Sequence, residues 1–151
     1  MEKILIINDG RETTNWGLQA SSQALIDIFK SKGQKISTIN HTLLHQEYTI
    51  SPKILGKSLF SSENRLRKKF SPKFIKIPLT ADQYDYYQEK WMTNKGGTYS
   101  KVIINLIKEN DIILFNAEGS TYRKNFGSLA GLFILYLAST AFRKKSYFIN
   151  G

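Results

Sequence analysis

Four short apolar runs along the chain end on the same residue type. They are Ile4-Leu5-Ile6-Ile7-Asn8, Ile36-Ser37-Thr38-Ile39-Asn40, Ile112-Ile113-Leu114-Phe115-Asn116 and Ser146-Tyr147-Phe148-Ile149-Asn150. Three lack clean alternation and are rich in Ile and aromatic residues. That is the pattern of strands buried on both faces, as in a parallel sheet. A closing Asn suits a strand that breaks into a loop, because Asn tolerates left-handed backbone and bonds its own main chain. Asn40 and Asn150 are read as turn residues of this kind.

Helical spacing lies between the runs. From Trp16 to Lys32 the residues Ala20, Ala24, Leu25, Ile28 and Phe29 recur at helical intervals, with Thr14 or Asn15 as the cap and Gly33 as the stop. Ile103, Ile104 and Ile107 form a stripe on a shorter helix over Ser100 to Glu109. A third helix is expected from about Asn125 to Lys144. Its stretch Phe126 to Phe142 carries no charge, yet it falls short of the roughly 20 apolar residues of a membrane span. It also contains Gly127, Ser128, Gly131, Ser139 and Thr140. A helix buried against a sheet is therefore expected.

The resulting order is strand, helix, strand, long insertion, helix, strand, helix, strand. It predicts an α/β fold, Rossmann-like and doubly wound, with a mainly parallel sheet and right-handed crossovers. The whole of 1–151 reads as one such domain. The insertion, about 41–99, has a weaker pattern. Phe74 to Ile77 reads as an extra strand stopped by Pro78. Ala81 to Trp91 reads as a short helix with Tyr84, Tyr87 and Trp91 on one face, and Asn94 to Gly97 as a flexible loop.

Charge changes this picture at one place. The net charge is +10, and Ser51 to Lys76 holds eight basic residues against the single Glu63, a surplus of seven. Such a segment is either a solvated basic loop or an attraction for an anionic partner: a phosphorylated substrate, an acidic membrane surface or nucleic acid. The chain has no cysteine, which excludes disulfide and thiolate chemistry. The apolar run at the N-terminus is too short for a signal peptide.

In an open parallel sheet, ligands bind beyond the carboxyl ends of the strands. Two loops fall there. Asn8 to Gly17 joins the first strand to the first helix, and the helix N-terminus offers main-chain N–H groups to an anionic or hydroxyl-rich ligand. It lacks the glycine spacing of a dinucleotide fingerprint and the Gly-Lys-Ser/Thr of a P-loop. The second loop is Asn116-Ala117-Glu118-Gly119-Ser120-Thr121-Tyr122. Glu118 stands at the strand end, with Gly119 behind it for close approach. A carboxylate there either accepts a proton and binds hydroxyls or braces the loop. His41 and His45 are four apart but lack a carboxylate partner for a metal, so no metal is expected. Asp82 and Asp85 have no evident partner.

Two segments together resemble the polysaccharide pyruvyl transferase family: Asn15-Trp16-Gly17 with Gln19-Ala20, and Asp111-Ile112-Ile113-Leu114-Phe115-Asn116-Ala117-Glu118-Gly119-Ser120. Lys144 to Gly151 resembles the family's next strand. The resemblance covers both ends of the chain and little of 41–99. It implies the N-terminal half of a GT-B-like fold and transfer of the enolpyruvyl group of phosphoenolpyruvate to sugar hydroxyls, as a pyruvate ketal. It implies a second domain that holds most of the phosphoenolpyruvate site, so the chain alone is expected to be inactive. Phosphoenolpyruvate is then the donor substrate and no cofactor is expected.

On this reading Glu118 is the catalytic candidate, and Asn15, Gly17, Gly119, Ser120 and Tyr122 line the acceptor side. The partner is a sugar or lipid-linked oligosaccharide on the way to a cell-surface polysaccharide, with the basic insertion near an acidic membrane surface and without nucleic acid. The expected location is cytoplasmic, peripheral at the inner face of the membrane. Two other readings remain: the N-terminal domain of a GT-B glycosyltransferase using a nucleotide sugar, and a non-catalytic Rossmann-like binding module.

Overall fold

The computed structural model describes residues 2–45, 75–97, 99–118 and 126–149. Strand β1 (Lys3–Asp9) is followed by α1 (Trp16–Ser31), β2 (Lys35–Asn40) and the short α2 (His41–His45). After a 3-10 turn over Ala81–Gln83 come α3 (Tyr84–Met92), α4 (Ser100–Glu109), β3 (Ile112–Asn116), α5 (Phe126–Thr140) and β4 (Lys145–Ile149). The four strands form one sheet in the order β2-β1-β3-β4, and every neighbouring pair is parallel. The chain is thus an α/β protein with a Rossmann-like, doubly wound sheet.

The two faces of the sheet are covered by different helices. Ile4, Ile6 and Leu114 point toward α1 and pack with Ile26, Leu25 and Phe29. Leu5, Ile7, Ile113 and Phe115 point the other way, into the larger core with α3, α4 and α5. The connections β1 to β2 and β3 to β4 run outward in opposite directions from the sheet centre. Crossovers of a single hand then place α1 and α5 on opposite faces. With core on both sides, the middle of β1 is apolar: Ile4 to Ile7 are fully buried.

Local sequence explains the helix ends. The Asn15 side chain accepts a hydrogen bond from Leu18 N at 3.2 Å and caps α1. At the other end Gly33 takes φ +72°, and its N–H reaches the Lys30 carbonyl at 2.9 Å. Helix α4 carries Ile103, Ile104 and Ile107 inward, at the spacing read from the sequence. Among the described residues no helix is long and apolar enough to cross a membrane.

The insertion departs from its sequence reading in three respects. Ile75 to Ile77 pairs with no strand. Ile75 and Ile77 are nevertheless buried, and Lys76 is held by its N–H on the Gly96 carbonyl and by its carbonyl on Trp91 Nε1. The side chains of α3 supply the reason: Trp91 fills the space beneath this segment and takes its main-chain acceptor. The loop Asn94 to Gly97 is anchored at Gly96, where a Cβ would lie 2.4 Å from the Trp91 ring, while Asn94 and Lys95 are exposed. Finally, Asp85 has a partner, because Tyr136 on α5 donates its phenol to it at 2.7 Å. Tyr84, Tyr87 and Trp91 share one face as expected, and all three meet Phe133 edge-on. Phe74 and the basic residues Lys53 to Lys73 lie outside the described residues.

Close packing of α5 on β3 depends on Gly131. A Cβ there would lie 2.4 Å from Cζ of Phe115. Gly131→Ala gains helix propensity of about 1 kcal/mol, but overpacking costs about 1–3 kcal/mol. The expected result is a net loss of stability, read as a lower urea midpoint with unchanged slope. A midpoint equal to the parent's would show that displacing the Phe115 ring costs no more than the propensity gained, and a higher one that the ring yields without cost.

Candidate functional site

With the order β2-β1-β3-β4, the chain leaves β1 toward β2 on one side and β3 toward β4 on the other. The switch point is therefore between β1 and β3, and in sheets of this kind ligands bind beyond the carboxyl ends at that point. Three of the expected strand ends, Asn8, Asn40 and Asn116, lie on this edge; Asn150 lies outside the described residues.

The edge is built on buried amides. The pairing of β1 with β2 shifts register between Ile7 and Asp9, which leaves Asn8 as an extra residue in a bulge. Asn8 adopts φ 69°, a left-handed conformation that Asn tolerates better than most residues. Its side chain is fully buried. Asn8 Nδ2 donates to the Asn116 carbonyl at 2.7 Å, and its Oδ1 lies 2.7 Å from Nδ1 of His41. The carbonyl partner fixes the amide orientation, so Oδ1 must accept from His41. In the neutral imidazole the proton then sits on Nδ1 and the lone pair on Nε2. Asn116 continues the network: its Nδ2 donates to Ser21 Oγ and Ser22 Oγ, at 3.1 Å each, and its Oδ1 accepts from Glu118 N at 3.4 Å.

The loop from β1 to α1 folds tightly over this floor. Gly10 N donates to Ser22 Oγ at 2.9 Å, and a Cβ on Gly10 would collide with Leu18 at 2.0 Å. Only glycine fits there. Thr13 closes the turn with its N–H and hydroxyl on the Gly10 carbonyl. Gln19 reaches back from α1 to the Thr13 carbonyl.

Glu118 is half-buried and lies against the first turn of α1. Its Oε1 is 3.5 Å from the point a Cβ on Gly17 would occupy, and Asn15 Oδ1 is equally close to that point. The structure thus brings Asn15, Gly17 and Glu118 together, as the sequence suggested. The carboxylate lies at the N-terminal end of α1. Gly119, Ser120 and Tyr122 lie outside the described residues.

Sequence reading missed three groups. Asn8 and Asn116 looked like strand-ending residues but are the buried junction of the edge. His41, read from the sequence only as lacking a carboxylate partner for a metal, is oriented by Asn8. Asp9 and Arg11 form the third: Asp9 is only 5% exposed, and Arg11 grips it through Nε and Nη2, the closest contact being 2.8 Å. The spacing of Asp-Gly-Arg is a faint signal for such a local fork. The turn role of Asn40 holds, since its Oδ1 accepts from Leu43 N at 2.9 Å and starts α2. The His45 side chain lies outside the described set. Among the described residues no cluster of His, Asp and Glu could hold a metal ion.

The chain matches no protein-family model, and no curated protein and no solved structure is significantly similar to it.

The Asp9–Arg11 pair has a pH signature. Burial alone would raise the Asp9 pKa, but the hydrogen bonds and charge of Arg11, with Thr38, outweigh it and hold the carboxyl below its usual value. A depressed folded-state pKa gives stability that is full above about pH 4 and is lost as pH falls through the folded value. Arg11→Met removes the guanidinium and leaves the carboxylate only the residue-11 N–H and Thr38, at a cost of about 1–3 kcal/mol. Denaturation at about pH 7 should show this deficit, and at about pH 3 it should shrink. A deficit that is equal at both values would assign the loss to packing of the Arg11 stem.

Proposed function

We propose that this chain is the acceptor-side domain of a polysaccharide pyruvyl transferase. The observation that carries the reading is the place of Glu118: a half-buried carboxylate at the switch point, against the first turn of α1. Two motifs far apart in sequence, Asn15-Trp16-Gly17 and Asn116-Ala117-Glu118, meet there. A carboxylate so placed suits the proton of a sugar hydroxyl, and main-chain N–H groups of the helix start suit the ligand's oxygens.

The chemistry asked of the site is small. Two hydroxyls of one sugar add to C2 of phosphoenolpyruvate, phosphate leaves, and C3 takes up a proton to become the methyl group of the ketal. Glu118 accepts the proton of an attacking hydroxyl. Asn15 and Gly17 shape the acceptor side, and on this reading Gly119, Ser120 and Tyr122 complete it. Phosphoenolpyruvate is held by a second domain, so the isolated chain binds acceptor without turnover.

Glu118→Gln tests the assignment in a protein that carries both domains. It keeps shape and hydrogen bonding but removes the charge and the proton acceptor. Stability should stay within about 0.5 kcal/mol of the parent, and phosphate release from phosphoenolpyruvate should fall about 100-fold or more. A loss of several kcal/mol would make Glu118 a brace between β3 and α1. Unchanged rate and stability would place the acceptor elsewhere.

The basic segment Lys53 to Lys76 serves the same reading as the approach to an anionic, lipid-diphosphate-linked acceptor at a membrane surface. Attraction of this kind is screened over about 8 Å at physiological ionic strength. Binding to vesicles containing anionic lipid should weaken with added salt, and replacing Arg67, Lys68 and Lys69 by Ser should flatten that dependence. Equal affinity and equal salt slope in variant and parent would leave a solvated loop.

A further inference from the structure

A cavity of about 510 Å³ opens on the other side of β1 from Glu118, over the carboxyl ends of β1 and β2. Its volume is within the range of small-molecule sites, about 300–1,000 Å³. Its two walls differ in chemistry. Leu43 of α2 and Tyr99, Val102 and Leu106, at the start of and along α4, make an apolar and aromatic wall. Asp9, Arg11, Glu12, Thr38 and Asn40 make the facing polar wall.

The charges of the polar wall select the ligand. Arg11 is committed to Asp9 by a two-point ion pair, so its positive charge is already balanced. Glu12 is exposed and, among the described residues, has no hydrogen bond or ion pair. The wall therefore carries one net negative charge and offers carboxylate acceptors. A phosphate inside the cavity is disfavoured, whereas vicinal hydroxyls are favoured. The opposite wall calls for a flat, weakly polar ring. A pyranose fits poorly, because its hydroxyl rim would face Leu43, Val102 and Leu106 without partners, and unpaired polar groups are costly to bury.

We propose that this cavity binds a nucleoside moiety, with the base on the Tyr99–Val102–Leu106 wall and the ribose diol on the carboxylate of Glu12. Any phosphate lies outside, toward solvent. The site is separate from Glu118 and does not rest on the transferase reading.

The test is titration of the chain with adenosine and with uridine, followed by amide chemical shifts. The expected result is saturable shifts centred on Thr38, Asn40 and Val102. A 2′,3′-dideoxy nucleoside should bind about tenfold more weakly, the loss expected when hydrogen bonds to a charged group are removed. Val102→Trp fills the cavity from a position that is 49% exposed, so the fold should survive, as an unchanged melting curve would verify, while binding is abolished. Should Val102→Trp fail to fold, Glu12→Gln replaces it and should weaken the parent nucleoside but not the dideoxy analogue. Shifts that are absent, or centred on Trp16 or Glu118, would overturn the proposal. So would equal affinity of the dideoxy compound, or of a simple methyl pyranoside.

Discussion

The fold turns on one junction, the hydrogen bond from the Asn8 side chain to the Asn116 carbonyl. Strands β1 and β3 lie side by side at the sheet centre with core on both faces. Strands buried in this way have no solvent to receive the polar groups where they end, and an unpaired group there is expensive. The bulge at Asn8 turns an amide into that position. One side chain then satisfies β3 on one side and orients His41 on the other, while Asn116 ties the same point to Ser21 and Ser22 on α1. Through this junction the two faces of the sheet share one polar edge.

From that edge two different surfaces follow. On the β3 side, Glu118 continues directly from Asn116 and meets the start of α1. On the β2 side, Asp9 emerges just after the bulge and is clamped by Arg11 before the chain reaches Glu12. The tight Gly10 turn, pressed on Leu18 and tied to Ser22, holds both apart. The switch-point edge that carries Glu118 and the β1–β2 cavity are thus divided by a single loop. Their chemistry differs accordingly: a carboxylate at a helix start in one, a balanced ion pair facing an apolar wall in the other.

Much of this architecture was legible along the chain. Uninterrupted Ile-rich runs suit strands buried on both faces of a parallel sheet, and Asn15 and Gly33 bound α1, and the Ile stripe marks α4, by local chemistry. The meeting of Asn15, Gly17 and Glu118 was also accessible, since topology carries successive strand ends to one edge. Ile75 to Ile77 was misread because a short apolar run has the same pattern whether it pairs in a ladder or lies under a Trp.

What the sequence by itself determined was therefore the type of the four strands and of the longer helices, the parallel sheet and the edge where its strand ends gather, because backbone sterics, capping and apolar period are local properties. What only the tertiary structure decided was which polar side chains become buried together. Asn8 reaches residues 33 and 108 positions away, and the Asp9–Arg11 fork gains its meaning from facing Tyr99 and Val102 of a distant helix. Long-range contacts of this kind leave no periodic trace, since they depend on the register of strands and the docking of helices rather than on spacing along the chain.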